Sequence, residues 1–419
     1  MTTTLSVSSR LRPYLRRPAL LGLLLTTFVL GLAYAFVVPF LSLWGRQVIG
    51  MTPVEYGAFM AVTSVSAIVL STFLARLSDT RLPRRTLLSL SGVGGILGYL
   101  GYAFLQDGIA LAAVGAIALG VASVSFSQLF AHAREELART EYEGIDPALF
   151  MSALRACFAV SWTVGPALSA TLMRAFGYRG VFLAAAGLFA CFLLGVRCAV
   201  PERPHTRQPE RARRESVLRV LTRRANLSCF ISFILMFGAF ALCTINLPLL
   251  ITERLGGDER HVGVSFGIAA LLEVPFMLSF GALVSRGHQT KVIRFGLFAG
   301  VCYFVALTGV AAPHEVYRAQ LLNAACVAVT ASVAIPYFQD LTPGQVGFGT
   351  TMYSTAYSVG NLLGYFSFGL LFERLGHRGL LWVCSGLAAA SYVLFLSIRP
   401  QRAPSTDEAP VLAQARAGR

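Results

Sequence analysis

The chain is poor in charge. Asp, Glu, Lys and Arg make up 13% of its 419 residues, about half of the roughly 25% usual in soluble domains. Lys291 is the only lysine, and acids number 20 in all. That scarcity excludes a string of ordinary soluble domains, because too little polar sequence is present to cover them. Metal-ligand spacing is also lacking. Cys157, Cys191, Cys198, Cys229, Cys243, Cys302, Cys326 and Cys384 all lie in or beside apolar runs, and they read as small buried residues rather than ligands or disulfides. His132-Ala-Arg-Glu135-Glu136 has no second matching cluster and reads as a solvated helix end. No Walker-type phosphate loop occurs, which argues against ATP drive from this chain. Gly92-Val-Gly94-Gly95 lies inside an apolar run with no strand before it, so it is not a dinucleotide fingerprint. No metal, cofactor or enzymatic chemistry is expected.

Long hydrophobic runs are what the chain has instead. Hydrophobic residues make up 55% of it, and runs of about twenty residues, each long enough to cross a core of about 30 Å as a helix, recur from Pro18 to Ile398. The pattern predicts an all-α polytopic membrane protein with twelve spans. These are roughly 18–45, 54–76, 85–105, 109–131, 149–174, 179–199, 226–252, 260–285, 290–311, 315–338, 347–372 and 378–397. Arg10, Arg12, Arg16 and Arg17 before the first run imitate a signal peptide, but the run to Trp44 is too long for one and carries no clear cleavage site. It reads as a retained first helix. Lys and Arg fall 26 to 8 in favour of the segments on the side of the termini, which predicts cytoplasmic termini by the positive-inside rule. The net charge of +15 is thereby a statement about topology, and nucleic acid is not an expected partner.

The one long internal polar stretch, 200–225, divides the runs six and six. The expected organisation is a cytoplasmic tail 1–17, a six-helix bundle 18–199, a cytoplasmic linker 200–225, a second bundle 226–398 and a tail 399–419 of disordered composition. Leu172–Gly180 matches Leu371–Gly379, Gly165 falls opposite Gly364, and Ala75, Asp79 and Arg85 fall opposite Gly281, Ser285 and Lys291. Pro39 is paired with Pro248. Two six-helix halves related along the membrane normal place a substrate site between them, near the midplane.

The loop Ala75-Arg-Leu-Ser-Asp79-Thr-Arg81-Leu-Pro-Arg84-Arg85 resembles the signature between the second and third helices of the major facilitator superfamily, with its glycines replaced. Ser161-x-x-x-Gly165-Pro166-x-x-Ser169 resembles the fifth-helix motif of that superfamily's antiporters. Leu271-Leu-Glu273-Val-Pro275, Tyr337-Phe-Gln339-Asp340-Leu-Thr-Pro343-Gly344-Gln345 and Ser161-Trp162-Thr-Val-Gly165-Pro166 look like segments of the bacterial sugar efflux transporter family. The resemblance implies a monomeric, multi-pass protein of the bacterial inner membrane, exporting small saccharides or glycosides against protons. A multidrug or metabolite exporter of the same superfamily, and a non-transporting sensor or scaffold, are the alternatives.

An ionisable group inside a bilayer costs about 2.5–3.5 kcal/mol on insertion scales, and so is a candidate for function. Glu273, about 20 Å into its helix and beside Pro275, is the expected proton-coupling residue. A carboxyl satisfied by a fixed arginine or asparagine is the structural alternative. Asn246, Gln128, Asn323, Asn361 and Gln339 could hydrogen-bond a sugar, and Tyr34, Trp162, Tyr337 and Tyr357 could face its C–H surface. Each alone also fits an interhelical bond. Asn246, Glu273 and Trp162 are the first choice. Asp79 with Arg84 and Arg85 is the expected cytoplasmic gate. Arg155 is expected to pair with Glu135, Glu136 or Asp340, as a gate, a substrate contact or a snorkelling residue.

Overall fold

The computed structural model describes residues 17–80, 82–137, 147–200, 224–342 and 346–398. Most of the predicted linker and both predicted tails lie outside the described residues. Within them the chain is helical, with no strand, and ten stretches are long and apolar enough to cross a membrane. In chain order they are α1 (Pro18–Val48), α2 (Pro53–Thr80), α3 (Arg84–Phe104), α4 (Gly108–Leu137), α5 (Pro147–Ala199), α6 (Arg224–Leu249, continued by Leu250–Arg254), α7 (Glu259–Ser285), α8 (Gln289–Thr308), α9 (Pro313–Asp340) and α10 (Val346–Leu396). Helices dominate because a chain in hydrocarbon must satisfy each backbone N–H and C=O within its own segment.

Two of the ten are double. α5 and α10 run for 53 and 51 residues and carry one non-helical residue each, Gly177 (φ 65°) and Gly376 (φ 61°). The contacts show that each reverses there. In α5, Ser161 and Gly165 meet Gly31 and Ala35 of α1, whereas Gly195 and Ala199 meet Thr26 and Gly22, back towards the start of α1. In α10, Gly360 lies on Gly238 of α6, and further on Ser391 meets Ser232. We call the end where α1 begins the near end and its opposite the far end.

The irregular turns repeat. A π-helical stretch ends α1 at Trp44–Val48, and another ends α6 at Leu250–Arg254. The left-handed Gly50 and Gly256 follow them at the same separation of 206 residues. A second pair of π-helical stretches, Gly115–Leu119 and Val329–Val333, interrupts α4 and α9. The reversing glycines are 199 residues apart. Recurrence of such costly geometry at matching places is the mark of duplicated halves, and it strengthens the sequence matches. Pro39 and Pro248 do not share this register: Pro39 lies in a 3₁₀ turn five residues before its π stretch, Pro248 two residues before its own.

Small residues set the helix spacing. A Cβ on Gly31 would clash with Ser161, one on Gly165 with Ala35, and one on Gly364 with the Gly238 carbonyl. These backbones touch because no side chain separates them. The reversals depend on glycine for a different reason. A Cβ at Gly177 or Gly376 would meet nothing within 4 Å, so only the backbone conformation forbids it. Gly177→Ala and Gly376→Ala are each expected to destabilise the protein by about 1–3 kcal/mol, read as a lowered thermal midpoint in detergent. An unchanged midpoint would show that the reversal tolerates an L side chain.

Candidate functional site

Three of the predicted residues share one geometric signature. Residues two apart on a helix lie on roughly opposite sides, at about 100° per residue. Trp162 has exposed Val160 and Val164 at those offsets, Asn361 has exposed Val359 and Leu363, and Glu273 has exposed Leu271 and Pro275. Exposed apolar stripes of this kind face lipid, so the three candidates face the interior. Neighbouring contacts agree. Gly263 and Gly267 of α7 meet Pro166 and Thr163 of α5, while Ser265 of α7 bonds Gln320 of α9. Glu273 falls on the arc between those two directions. At about 1.5 Å per residue, Trp162, Asn361 and Glu273 lie about 18–22 Å from the near ends of their helices. They form a layer at mid-depth.

Glu273 is half-buried and makes no hydrogen bond or ion pair, so the alternative of a carboxyl satisfied by arginine or asparagine is not what the structure contains. Pro275 lacks an N–H, leaving the Leu271 carbonyl beside it without its usual donor. The Trp162 Nε1–H is buried and has no acceptor. Asn361 is half-buried and its amide makes no hydrogen bond. Tyr357, one turn nearer the near end on the same face as Asn361, is exposed and packs edge-on against Phe237. Open donors and acceptors at one depth are what a polar ligand requires.

Other candidates are committed elsewhere. Asn246 is fully buried towards the far end of α6, where its Nδ2 donates to the His377 carbonyl and its Oδ1 faces His377 Nδ1 at 2.9 Å. It joins α6 to the reversal of α10 and does not face the layer. Gln128 is buried and accepts from Arg84 Nη1 at 2.8 Å. The Tyr34 hydroxyl lies 3.0 Å from both the Ala122 carbonyl and Ser125 Oγ, holding α1 to α4. Tyr337 is buried against Phe395 near the end of α9, and Gln339 donates to Thr350 Oγ1 at 2.9 Å. Asn323 donates to Gln320, which donates to Ser265. Gln320 is a participant that the sequence reading missed. So is an aromatic strip of Phe130, Phe126, Phe158 and Trp162, with successive centroids 4.4, 4.8 and 6.5 Å apart. The four-residue spacing of Phe126 and Phe130, and of Phe158 and Trp162, was the available signal.

At the near end Arg84 grips α4. Its Nε and Nη2 donate to the two Glu135 oxygens at 2.7 and 2.5 Å, a bidentate pairing that fixes direction as well as distance. Arg85 donates to the Arg197 carbonyl. The side chain of Asp79 lies outside the described residues. Glu135 being joined to Arg84, Arg155 does not form the pair expected for it. It is exposed and makes no hydrogen bond or ion pair, and Asp340 makes none either. Seven residues before Trp162, Arg155 shares its interior face, with Tyr353 of α10 within its electrostatic reach.

At the far end the two halves are joined. Arg174 of α5 pairs with Asp258, which caps α7, and His261 Nδ1 lies 2.7 Å from the same carboxylate. Partial burial pushes the Asp258 carboxyl up, but hydrogen bonds from His261 and the Arg174 charge override this and hold it below its ordinary value. Gln47 of α1 donates to Thr252 of α6 at 3.5 Å, and the Arg46 guanidinium lies over the Phe372 ring at 5.6 Å. Gly57 of α2 and Gly369 of α10 meet backbone to backbone.

Ten long apolar helical stretches, two of them doubled back, repeated halves and an interior layer of unpaired polar groups define a multi-pass membrane carrier. The pattern of the Major Facilitator Superfamily matches residues 3–140 and 146–317, and the chain belongs to that superfamily. It is similar to sugar efflux transporter A of Dickeya chrysanthemi, at 33% identity over 94% of this chain and 99% of the relative. It is also similar to sugar efflux transporter C of Escherichia coli strain K12, at 29% identity over 90% and 95%. Among solved structures it resembles the nucleoside transporter NupG, with a TM-score of 0.76 and 14% identity over 91% of this chain and 99% of the other. The human organic anion transporter MFSD10 gives a TM-score of 0.61 at 17% identity, over 91% and 99%. At such identities these two speak for the fold alone.

The α5–α7 crossing yields a test. A Cβ on Gly263 would lie 2.6 Å from the Pro166 carbonyl oxygen, so Gly263→Leu must push the two helices apart. Labelling of a cysteine placed at Gln47 by a membrane-impermeant maleimide is expected to rise in that background. Labelling equal to that in the unaltered crossing would show that α5 and α7 do not hold the far end shut.

Proposed function

We propose that this protein exports small saccharides or glycosides from the bacterial cytoplasm across the inner membrane, in exchange for protons. It does so as a monomer with twelve spans in two six-helix halves, 18–199 and 226–398. The near end is cytoplasmic, in keeping with the 26-to-8 distribution of basic residues. The observation that carries the proposal is the mid-depth layer, where Glu273 stands unpaired on the interior face and Trp162 offers a buried N–H with no acceptor. The relatives named sugar efflux transporters support the saccharide.

The chemistry follows from these groups. A sugar presents hydroxyls around its rim and C–H groups on its faces. Glu273 accepts from hydroxyls when ionised, Trp162 donates its N–H, Asn361 does both, and the indole or Tyr357 ring covers a C–H face. Arg155 supplies further donors one to two turns towards the cytoplasm. Proton and sugar compete for the same Glu273 oxygens. Sugar leaves to the outside, a proton from the more acidic side takes its place, and the neutral carboxyl lets the empty carrier return without a charge in hydrocarbon. The near-end signature containing Asp79, with Arg84 and Arg85, serves in this scheme as the cytoplasmic gate, together with Asp340 at the near end of α9.

Glu273→Gln keeps shape and hydrogen bonding but removes the titration. In proteoliposomes it is expected to lower efflux driven by a proton gradient by about tenfold or more, equivalent to about 1.4 kcal/mol in the barrier, while sugar counterflow continues. Gradient-driven export at the normal rate would overturn the coupling role. The aromatic strip from Phe130 to Trp162 favours a second reading, export of lipophilic compounds. Competition binding of sugars against lipophilic cations separates the two.

A further inference from the structure

The reversal of α10 holds a polar cluster that the layer does not use. Asn246 Nδ2 donates to the His377 carbonyl at 3.0 Å, which can only accept. This fixes the amide orientation and turns the Asn246 oxygen to His377 Nδ1 at 2.9 Å. An amide oxygen also only accepts, so Nδ1 carries a hydrogen. His377 Nε2 lies 3.2 Å from Glu253 Oε2. A second proton must occupy that contact, on the imidazole or on the carboxylate, because two lone pairs would otherwise face each other.

From the opposite half, Gln47 donates to Thr252, the residue before Glu253, at 3.5 Å, and the Arg46 guanidinium acts on the Glu253 carboxylate electrostatically. The remaining neighbours are accounted for. The Phe372 ring stands edge-on to His377 at 4.9 Å, and Arg46 also donates to the Met51 carbonyl. Glu55 of α2 is turned to the Thr52 N–H, and Arg378 donates to the Val310 carbonyl. Arg254, Glu373 and Arg374 are exposed.

The repeat provides an internal control. The 206-residue register of the π stretches places Gln47 opposite Glu253 and Phe40 opposite Asn246, and the 199-residue register of the reversals places Tyr178 opposite His377. The first half therefore makes the same reversal without an ionisable pair, and the Tyr178 hydroxyl there is buried without a partner. Making the turn does not call for His377 and Glu253.

We propose that His377 and Glu253 form a second proton-binding site, separate from Glu273, whose occupancy decides which half holds Glu253. With the proton bound, the carboxylate is kept by His377 within its own half. When the proton leaves, the imidazole lone pair and the carboxylate repel, Glu253 passes to Arg46 and Gln47, and the halves are drawn together at the far end. Acid on that side thus favours its opening. The inference rests on the proposed outward orientation of the far end.

The test uses the full-length protein in lipid nanodiscs, with spin labels on non-natural keto residues at positions 109 and 311, both exposed at the far end. As pH falls from about 8 to about 5, the distance distribution is expected to shift longer in the otherwise unaltered protein. Glu273→Gln should keep the shift, whereas His377→Gln and Glu253→Gln should each abolish it. Glu253→Gln leaves the Asn246 contacts in place, and so answers the question even if His377→Gln does not fold. A shift that survives Glu253→Gln, a shift to shorter distances with acid, or no shift at all overturns the proposal. Loss of the shift in Glu273→Gln also overturns it, and assigns the proton to the layer. Absence of saccharide counterflow, measured separately, overturns the export reading alone.

Discussion

Hydrocarbon offers no hydrogen bonds, and the rest of this structure depends on that fact. Backbone groups must all be paired inside the membrane, and an α-helix does this within the segment that carries them, as every described span here does. Apolar side chains gain little from leaving lipid for the bundle, so the helices meet where small residues permit backbone contact. The Gly57–Gly369 and Gly263–Pro166 crossings between the halves are of this kind. Such contacts can part without exposing an unpaired polar group. The same dielectric that makes the crossings cheap to open makes every interior charge costly, and this singles out Glu273.

Polar groups divide accordingly into two populations. Asn246, Gln128, Tyr34, Gln320 and Ser265 are paired with one another, with the backbone or, for Gln128, with Arg84, and they fasten helices within a half. Glu273, Trp162, Asn361 and Arg155 have open donors or acceptors. The first population gives each half its rigidity. The second is grouped on interior faces of α5 in one half and of α7 and α10 in the other, and α5 crosses α7 directly.

Much of this was legible in the sequence. Hydropathy placed the spans, and the reversals at Gly177 and Gly376 fall inside the matched Leu172–Gly180 and Leu371–Gly379 segments. Glu273 stood out because an acid within an apolar run has few bland explanations. Asn246 was less readable. A buried asparagine can serve a ligand or a neighbouring helix equally well, and its partner His377 is 131 residues away. Arg155 was matched to Glu135, Glu136 or Asp340 on charge alone, and the bidentate fit of Arg84 to Glu135 could be seen only in three dimensions. The π-helical stretches have no strong composition signal, and they became meaningful by recurring in both halves.

The single-residue reversals bear on how the protein enters the membrane. Gly177 and Gly376 each join two apolar arms through a turn of only a few residues, which carries Arg174 and Arg179 in α5 and Glu373, Arg374, His377 and Arg378 in α10. That turn is too short to be translocated as a loop apart from the arms that flank it. Each pair must therefore partition into lipid as one hairpin, with its orientation decided at its two outer ends. For α5 and α10 the unit of biogenesis is thus the pair of arms, and a defect in one arm strands both.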